Sequence, residues 1–121
     1  MKIIYNSIIP FQGYICMNIF GVLFVRKEYK HKMNKTAINH ELIHSEQYKD
    51  LLYILFLPLY ILEWIIKLPI SLFYKNNINN FAYRSISFEQ EAYYNEKNYK
   101  YLTNRKRYNW IKYIFKMYSE K

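Results

Sequence analysis

The sequence is poor in the residues that break or cross-link a chain. Its 121 residues include two glycines, three prolines and one cysteine. Because turn-forming residues are scarce, long helices are favoured over a sandwich of many short strands, and we expect one small, mostly helical α+β domain over residues 1–121. The lone Cys16 cannot form an internal disulfide and excludes a cysteine-rich structural zinc site. We expect Cys16 to be a small buried residue rather than a nucleophile.

Acidic residues are also few, and the formal net charge is +9. Such a charge suits anionic partners, either lipid headgroups or nucleic acid. The lysines are spread over most of the chain, however, so a solvated basic surface explains the charge equally well. No helix-turn-helix, zinc-finger or RNP pattern is present, and no specific nucleic-acid partner is expected. Polar residues interrupt the apolar start of the chain and no A-x-A site follows, so we expect a cytoplasmic protein.

One stretch carries a recognisable chemical pattern, His40-Glu41-Leu42-Ile43-His44, or H-E-x-x-H. On a helix, positions four apart lie on the same face, so His40 and His44 would direct two imidazoles at one point. This spacing suits two nitrogen ligands of a tetrahedral Zn²⁺ ion. Glu41 would lie close enough to act as a general base on water at the metal. Two surface histidines on an ordinary helix are the alternative.

A zinc ion of this kind needs a third protein ligand, for which the best candidates lie in residues 87–93. Glu89, Ala92, Tyr93 and Glu96 share one helical face, and the small Ala92 lets this helix approach the motif helix. Glu91 lies two positions from Glu89 and points to nearly the opposite side, so it is the poorer candidate. A solvated charged helix face is the alternative for both carboxylates.

The two segments together resemble the gluzincin metallopeptidases, in particular the branches of the CAAX-prenyl and heat-shock membrane proteases and of the antibiotic sensors. Those families pair H-E-x-x-H with a later helix reading E-x-x-A-D, and this chain has Glu89-Gln90-Glu91-Ala92 followed by Tyr93. Residues 83–89 are also similar to those of short uncharacterised bacterial proteins carrying both motifs. The resemblance covers about a tenth of the chain. It implies that Zn²⁺ is bound by His40, His44 and Glu89.

The resemblance also implies a hydrolase that cleaves a peptide or protein substrate, with Glu41 as the base. The chain departs from the family at Tyr93, where the family has an aspartate that orients a ligand histidine. This departure predicts either weaker metal binding or a different partner for the histidine, such as Glu96 or Asn39. The alternative is a catalytically inactive module that keeps the fold and acts in protein interaction or at a membrane surface.

The remaining segments are assigned from composition. Residues 2–9 and 14–26 predict a short N-terminal β-hairpin or strand pair beside the motif helix, with the strand core at residues 22–25. Residues 26–35 predict a loop, in which His31 is a surface residue. Asn34 or Thr36 is the expected cap of a motif helix that starts near Ala37. A linker is expected at residues 75–80, a helix at 85–102 and a last amphipathic helix at 108–118.

Residues 51–74 form the most apolar segment and are long enough to span a bilayer. Two prolines and the pair Glu63 and Lys67, four apart on a helix, argue against a simple span. A straight helix here would carry the chain too far for Glu89 to return to the histidines, so we expect a bend near Pro58 or Pro69 and a helical hairpin. A core helix is the first expectation. Peripheral membrane contact through residues 51–74 or the C-terminal helix is the second.

Overall fold

The computed structural model of the chain describes residues 2–73 and 78–117. They form a small N-terminal sheet followed by helices, which confirms the predicted α+β class. The strands are β1 (Ile3–Asn6), β2 (Cys16–Ile19) and β3 (Val22–Arg26). The α-helices are α1 (Lys35–Asp50), α2 (Phe56–Ile70), α3 (Ile78–Ser85), α4 (Ser87–Asn95) and α5 (Tyr101–Asn104).

The sheet contains a hairpin beside the motif helix, but both strands of the hairpin come from the predicted range 14–26, and the strand from residues 2–9 joins them in parallel. Strands β2 and β3 are antiparallel, β1 runs parallel to β3, and the order is β1-β3-β2. The two-residue loop Phe20-Gly21 has φ of 52° and 86°, as tight hairpin turns with two left-handed residues require. Asn18 of β2 joins the sheet to α1, because its amide donates to the Glu41 carbonyl at 3.1 Å and its carbonyl accepts from the Tyr48 hydroxyl at 2.8 Å.

The motif helix begins at Lys35, directly after one of its two predicted capping residues. Asn34 is the N-cap, and its side chain accepts from the backbone N–H of Ala37 at 2.8 Å. Thr36, the other candidate cap, lies inside the first turn. The preceding segment differs from the expected loop, since Lys27–Lys32 forms a 3₁₀ helix. His31 within it is exposed, as expected.

The chain reverses direction before α2 rather than at a proline. The turn occupies residues 51–55, in which Leu52 and Tyr53 have φ of 56° and 64°. The expected bend near Pro58 or Pro69 is therefore wrong, although the hairpin itself is present. Pro58 lies in the first turn of α2, where a missing N–H costs no helical hydrogen bond. Pro69 lies in the last turn.

The C-terminal half contains shorter elements than the sequence predicts. The expected helix 85–102 is two helices, α4 and α5, because the Asn39 amide binds the carbonyls of Asn95, Glu96 and Asn98 and so closes the end of α4. Helix α3 was not expected. It takes up residues 78–80 of the expected linker, and residues 75–77 lie outside the described part of the chain.

The last expected helix, 108–118, is instead a 3₁₀ helix at Asn109–Tyr113, and residue 118 lies outside the described part. Trp110 and Tyr113 are both buried, and their spacing of three residues matches the period of a 3₁₀ helix.

An aromatic core holds these elements around the motif helix. Tyr48 of α1 stacks on Phe56 of α2 at 4.0 Å between ring centroids. Phe56 lies 4.6 Å from Phe88 of α4, which lies 4.7 Å from Trp110. Helix α1 also packs directly on α4, where Ala92 is fully buried. Rings from four segments thus fix the distance between the two helices that carry the predicted ligands.

Candidate metal centre

The structure brings the three predicted ligands together. His40 and His44 lie one turn apart on α1, and their Nε2 atoms are 3.2 Å apart. The Oε1 atom of Glu89 on α4 lies 3.3 Å from Nε2 of His40 and 3.2 Å from Nε2 of His44. All three residues are buried. One atom from each therefore converges on a common point in the interior.

These distances fit a tetrahedral zinc ion. Zinc binds histidine nitrogen and carboxylate oxygen at about 2.0–2.2 Å, so two ligand atoms on a tetrahedron lie roughly 3.3–3.6 Å apart. The three separations in the structure, 3.2 to 3.3 Å, lie at or just below the lower limit of that range. The donor set, two imidazoles and one carboxylate, is also that of a catalytic rather than a structural zinc site. The residues present thus fit a metal ion.

When no metal is bound, the two histidines and Glu89 interact as groups of opposite charge. Burial opposes a charge on His40, but its hydrogen bond to Glu89 and the nearby carboxylate of Glu96 raise its pKa to about 10. The pKa of His44 is raised as well, mainly because the negative charge of Glu89 outweighs burial. Burial alone would raise the pKa of Glu89, but both histidines lower it well below its usual range. The metal-free cluster therefore holds a carboxylate against protonated imidazole.

Gln47 orients the ring of His44. Its Oε1 atom lies 2.7 Å from Nδ1 of His44, so Nδ1 carries the proton and Nε2 is free for a metal. Gln47 is itself fixed, because its amide donates to the Phe88 carbonyl at 3.0 Å and to Glu91 Oε1 at 2.9 Å. Gln47 is fully buried. The sequence analysis did not identify this residue, although it follows His44 by three positions, one turn along α1.

The partner of His40 is one of the two substitutes expected for the missing aspartate. Oε1 of Glu96 faces Nδ1 of His40 at 3.9 Å, whereas the Asn39 amide binds only backbone carbonyls at the end of α4. Tyr93 packs its ring against the edge of His40 with centroids 4.4 Å apart. Glu96 thus supplies the negative charge beside this histidine, and Tyr93 supports the ring by packing.

Tyr60 of α2 holds the third ligand. Its hydroxyl donates to Oε2 of Glu89 at 2.7 Å, which leaves Oε1 directed at the histidines. Burial, together with the charge of Glu89, raises the pKa of Tyr60 well above its usual value, so the phenol keeps its proton. Sequence reasoning did not find Tyr60, because its contact depends on the chain reversal at residues 51–55.

Glu41 is the residue that the motif predicts as the general base. It follows His40 directly on α1 and is partly buried. Burial raises its pKa, opposed by the two histidines and reinforced by Glu89. A raised pKa brings a carboxylate closer to the value at which it accepts and releases a proton efficiently near neutral pH.

Glu91 has a different role from Glu89. It is fully buried and binds Arg105, with the Arg105 Nε atom 2.5 Å from Oε2. The same guanidinium binds Asp50 at the end of α1 at 2.8 Å. Neither Glu89 nor Glu91 lies on a solvated helix face, so the alternative of two exposed surface carboxylates is wrong. Glu89 faces the two histidines, whereas Glu91 faces Arg105.

Cys16 lies near this cluster on the edge strand β2 and is half-buried rather than buried. Burial, with the charges of Glu41 and Glu89, raises the pKa of its thiol to about 12. The thiol is therefore protonated at neutral pH, which agrees with the expectation that Cys16 is not a nucleophile.

Comparisons of this chain with protein-family models, with curated proteins and with solved structures gave no match.

Proposed function

We propose that the protein is a zinc-dependent hydrolase of the metallopeptidase type, with His40, His44 and Glu89 as metal ligands and Glu41 as general base. The observation that carries the proposal is the convergence of two Nε2 atoms and one carboxylate oxygen within 3.3 Å of each other. The partners of these ligands support it, since metal-binding histidines commonly have a carbonyl or carboxylate at their other nitrogen. The resemblance to gluzincins supports a peptide substrate.

Zinc at this site would polarise a carbonyl group and lower the pKa of water towards neutrality. The protein's own residues supply the other functions. Glu41 accepts a proton from water and returns it to the leaving amine. Tyr60 and Gln47 keep Glu89 and His44 in their orientations through hydrogen bonds of 2.7 Å each.

The test compares zinc content and hydrolysis in three proteins: the wild type, Glu41→Gln and His44→Ala. Hydrolysis is measured on a library of fluorogenic peptides after reconstitution with zinc. We expect Glu41→Gln to bind zinc as the wild type does and to lose about 10²–10⁴-fold in kcat. We expect His44→Ala to lose zinc and activity together.

Glu46→Gln is the matched control, because Glu46 lies on the same helix and its one ion pair among the described residues is with the surface residue Lys49. It should change neither zinc content nor activity. Activity of Glu41→Gln equal to that of the wild type would contradict the role of Glu41. A wild type that binds zinc but cleaves no peptide would favour the catalytically inactive module instead.

A further inference from the structure

Helix α2 presents a continuous apolar surface to solvent. Residues 56–73 are long and apolar enough to cross a bilayer, with a mean hydropathy of 1.6, yet only 17% of them are buried. Every exposed position in this range carries an apolar side chain, and together these side chains define the apolar stripe. The stripe consists of Pro58, Ile61, Leu62, Ile65, Ile66, Pro69, Ile70, Leu72 and Phe73.

The polarity of α2 is the reverse of that expected for a helix on the surface of a water-soluble protein. Its charged residues face inwards, with Lys67 and Glu63 paired at 2.7 Å. Both oxygens of Glu63 bind the start of α4, through the backbone N–H and the hydroxyl of Ser87 at 2.6 Å each. The aliphatic side chains face outwards. A helix that satisfies its polar groups inside and exposes its apolar groups is suited to an apolar environment.

A groove extends the stripe on one side. It has a volume of about 670 Å³, and Leu62, Ile66 and Ile70 of the stripe form one wall. The other wall comes from the C-terminal segment and includes Ile114, Phe115 and Met117. Phe115 is 98% exposed, and Lys112 and Lys116 are exposed on the same segment. Apolar and basic side chains are thus presented together beside the stripe.

The chemistry of this surface favours a lipid bilayer over a protein partner. A protein interface normally forms about one hydrogen bond per 100–200 Å², but the stripe has no side chain that donates or accepts one. A second copy of the chain would bring two net charges of +9 together. An anionic bilayer requires no hydrogen bonds from the stripe and attracts the basic surface beside it.

The stripe fits the surface of a bilayer rather than a crossing of it. The opposite face of α2 packs against α3 and, through Glu63, against α4. His44 before α2 and Glu89 after it are in contact, so α2 does not place them on opposite sides of a membrane. We propose that the protein binds the surface of anionic phospholipid bilayers, with α2 in the plane of the interface and the apolar stripe inserted.

The experiment measures binding to vesicles of phosphatidylcholine, alone or mixed with phosphatidylglycerol, by co-sedimentation. The variant Ile61→Gln/Ile65→Gln removes two stripe residues that are 52% and 55% exposed. We expect the wild type to bind the mixed vesicles and the variant to bind them roughly tenfold or more weakly, because it inserts less apolar surface. The control Ile8→Gln/Phe11→Gln changes two residues that are 77% and 78% exposed and lie between β1 and β2. It should bind as the wild type does.

A second measurement does not depend on the polar variant. A fluorophore is attached at Ile65→Cys in a Cys16→Ser background, and its quenching by lipids with a spin label on the acyl chain is recorded. We expect strong quenching with anionic vesicles and none at Ile8→Cys. Absence of binding by the wild type, equal binding by the stripe variant or an unquenched label at position 65 would overturn the proposal. A lipid-free dimer lost in the stripe variant would assign the surface to self-association instead.

Discussion

Each histidine of the cluster directs one ring nitrogen at the common point, while its other nitrogen faces an acceptor. His44 has Gln47 at 2.7 Å, and His40 has Glu96 at 3.9 Å. Glu89 is held in the same manner by Tyr60. The two 2.7 Å hydrogen bonds fix the directions of His44 and Glu89, so a metal bound at the common point would cost less side-chain entropy.

The first prediction concerns Gln47. Replacing it with Met removes the acceptor from Nδ1 of His44 and keeps a side chain of similar length. We expect zinc affinity to fall about 10–100-fold, the usual effect of losing such a contact. Competition with a chromophoric chelator measures the affinity, and circular dichroism confirms the fold. Gln12→Met, at an exposed site, is the control. Unchanged zinc affinity in a folded Gln47→Met protein would show that Gln47 does not position the ligand.

The second prediction concerns pH in the metal-free protein. The pKa of His40 rises from an ordinary value of 6.5 to about 10, so its protonated form stabilises the fold. That stabilisation is fully present below pH 6.5 and is lost as the pH rises to about 10. We expect the Tm in the presence of a chelator to decrease across this window. The decrease should be smaller in His40→Gln. An equal decrease in both proteins would assign the effect to other groups.

At the scale of the elements, buried ion pairs join helices that are distant in sequence. Arg105, which follows α5, binds Glu91 of α4 and Asp50 at the end of α1. Glu63 of α2 binds the first residue of α4 and Lys67. The Arg105 contacts hold α4, and with it Glu89, against α1, and the Glu63 contacts hold α4 against α2.

The third prediction follows from this arrangement. Arg105→Met leaves Glu91 and Asp50 buried without their cation, and we expect it to lower the free energy of unfolding by about 3–5 kcal/mol. Arg107→Met is the matched control, because Arg107 is largely exposed and lies 3.9 Å from Asp50. We expect it to cost less than about 1 kcal/mol. Urea denaturation measures both. Equal losses in the two variants would mean that the buried pair does not hold the helices together.

The elements also show how far the sequence could predict the structure. The strands, the Asn34 cap and the histidine pair rest on local patterns: apolar runs with β-branched residues, a capping side chain and a four-residue spacing, whereas Glu89 rested on the family resemblance. The chain reversal at residues 51–55 contains no glycine or proline, so no turn-forming residue indicated its position in the sequence. Of its two left-handed residues, Tyr53 stacks on Tyr48, whereas Leu52 is exposed.

The lengths of the helices after residue 78 depend on contacts between residues far apart in the chain, and no local sequence pattern indicates such contacts. The end of α4 is set by Asn39, more than fifty positions earlier in the chain. Gln47 and Tyr60 were missed for the same reason, since each acquires its role only when α4 packs against α1 and α2. The pair Glu63 and Lys67 was predicted from its spacing, but not that it would be buried and would bind the start of α4.

At the scale of the whole molecule, the metal cluster and the apolar stripe lie on the two faces of α2. Tyr60 on the inner face bonds Glu89, and the neighbouring Ile61 on the outer face belongs to the stripe. A bilayer bound at the stripe would therefore be separated from the cluster by one helix.

The fourth prediction concerns metal removal. A metal that binds only the folded chain stabilises it by RT ln(1 + [L]/Kd), about 2.7 kcal/mol at a hundredfold excess over Kd. We therefore expect zinc to raise the Tm and a chelator to reverse the change. His44→Ala should show no zinc-dependent shift. A shift of equal size in that variant would place the stabilising metal elsewhere.

The most direct test of the account is a crystal structure of the protein grown with zinc, with anomalous diffraction recorded at the zinc edge. The account predicts one peak at about 2.0–2.2 Å from Nε2 of His40, Nε2 of His44 and Oε1 of Glu89. A map with no peak between these atoms, or with zinc only at a surface residue such as His31, would contradict it.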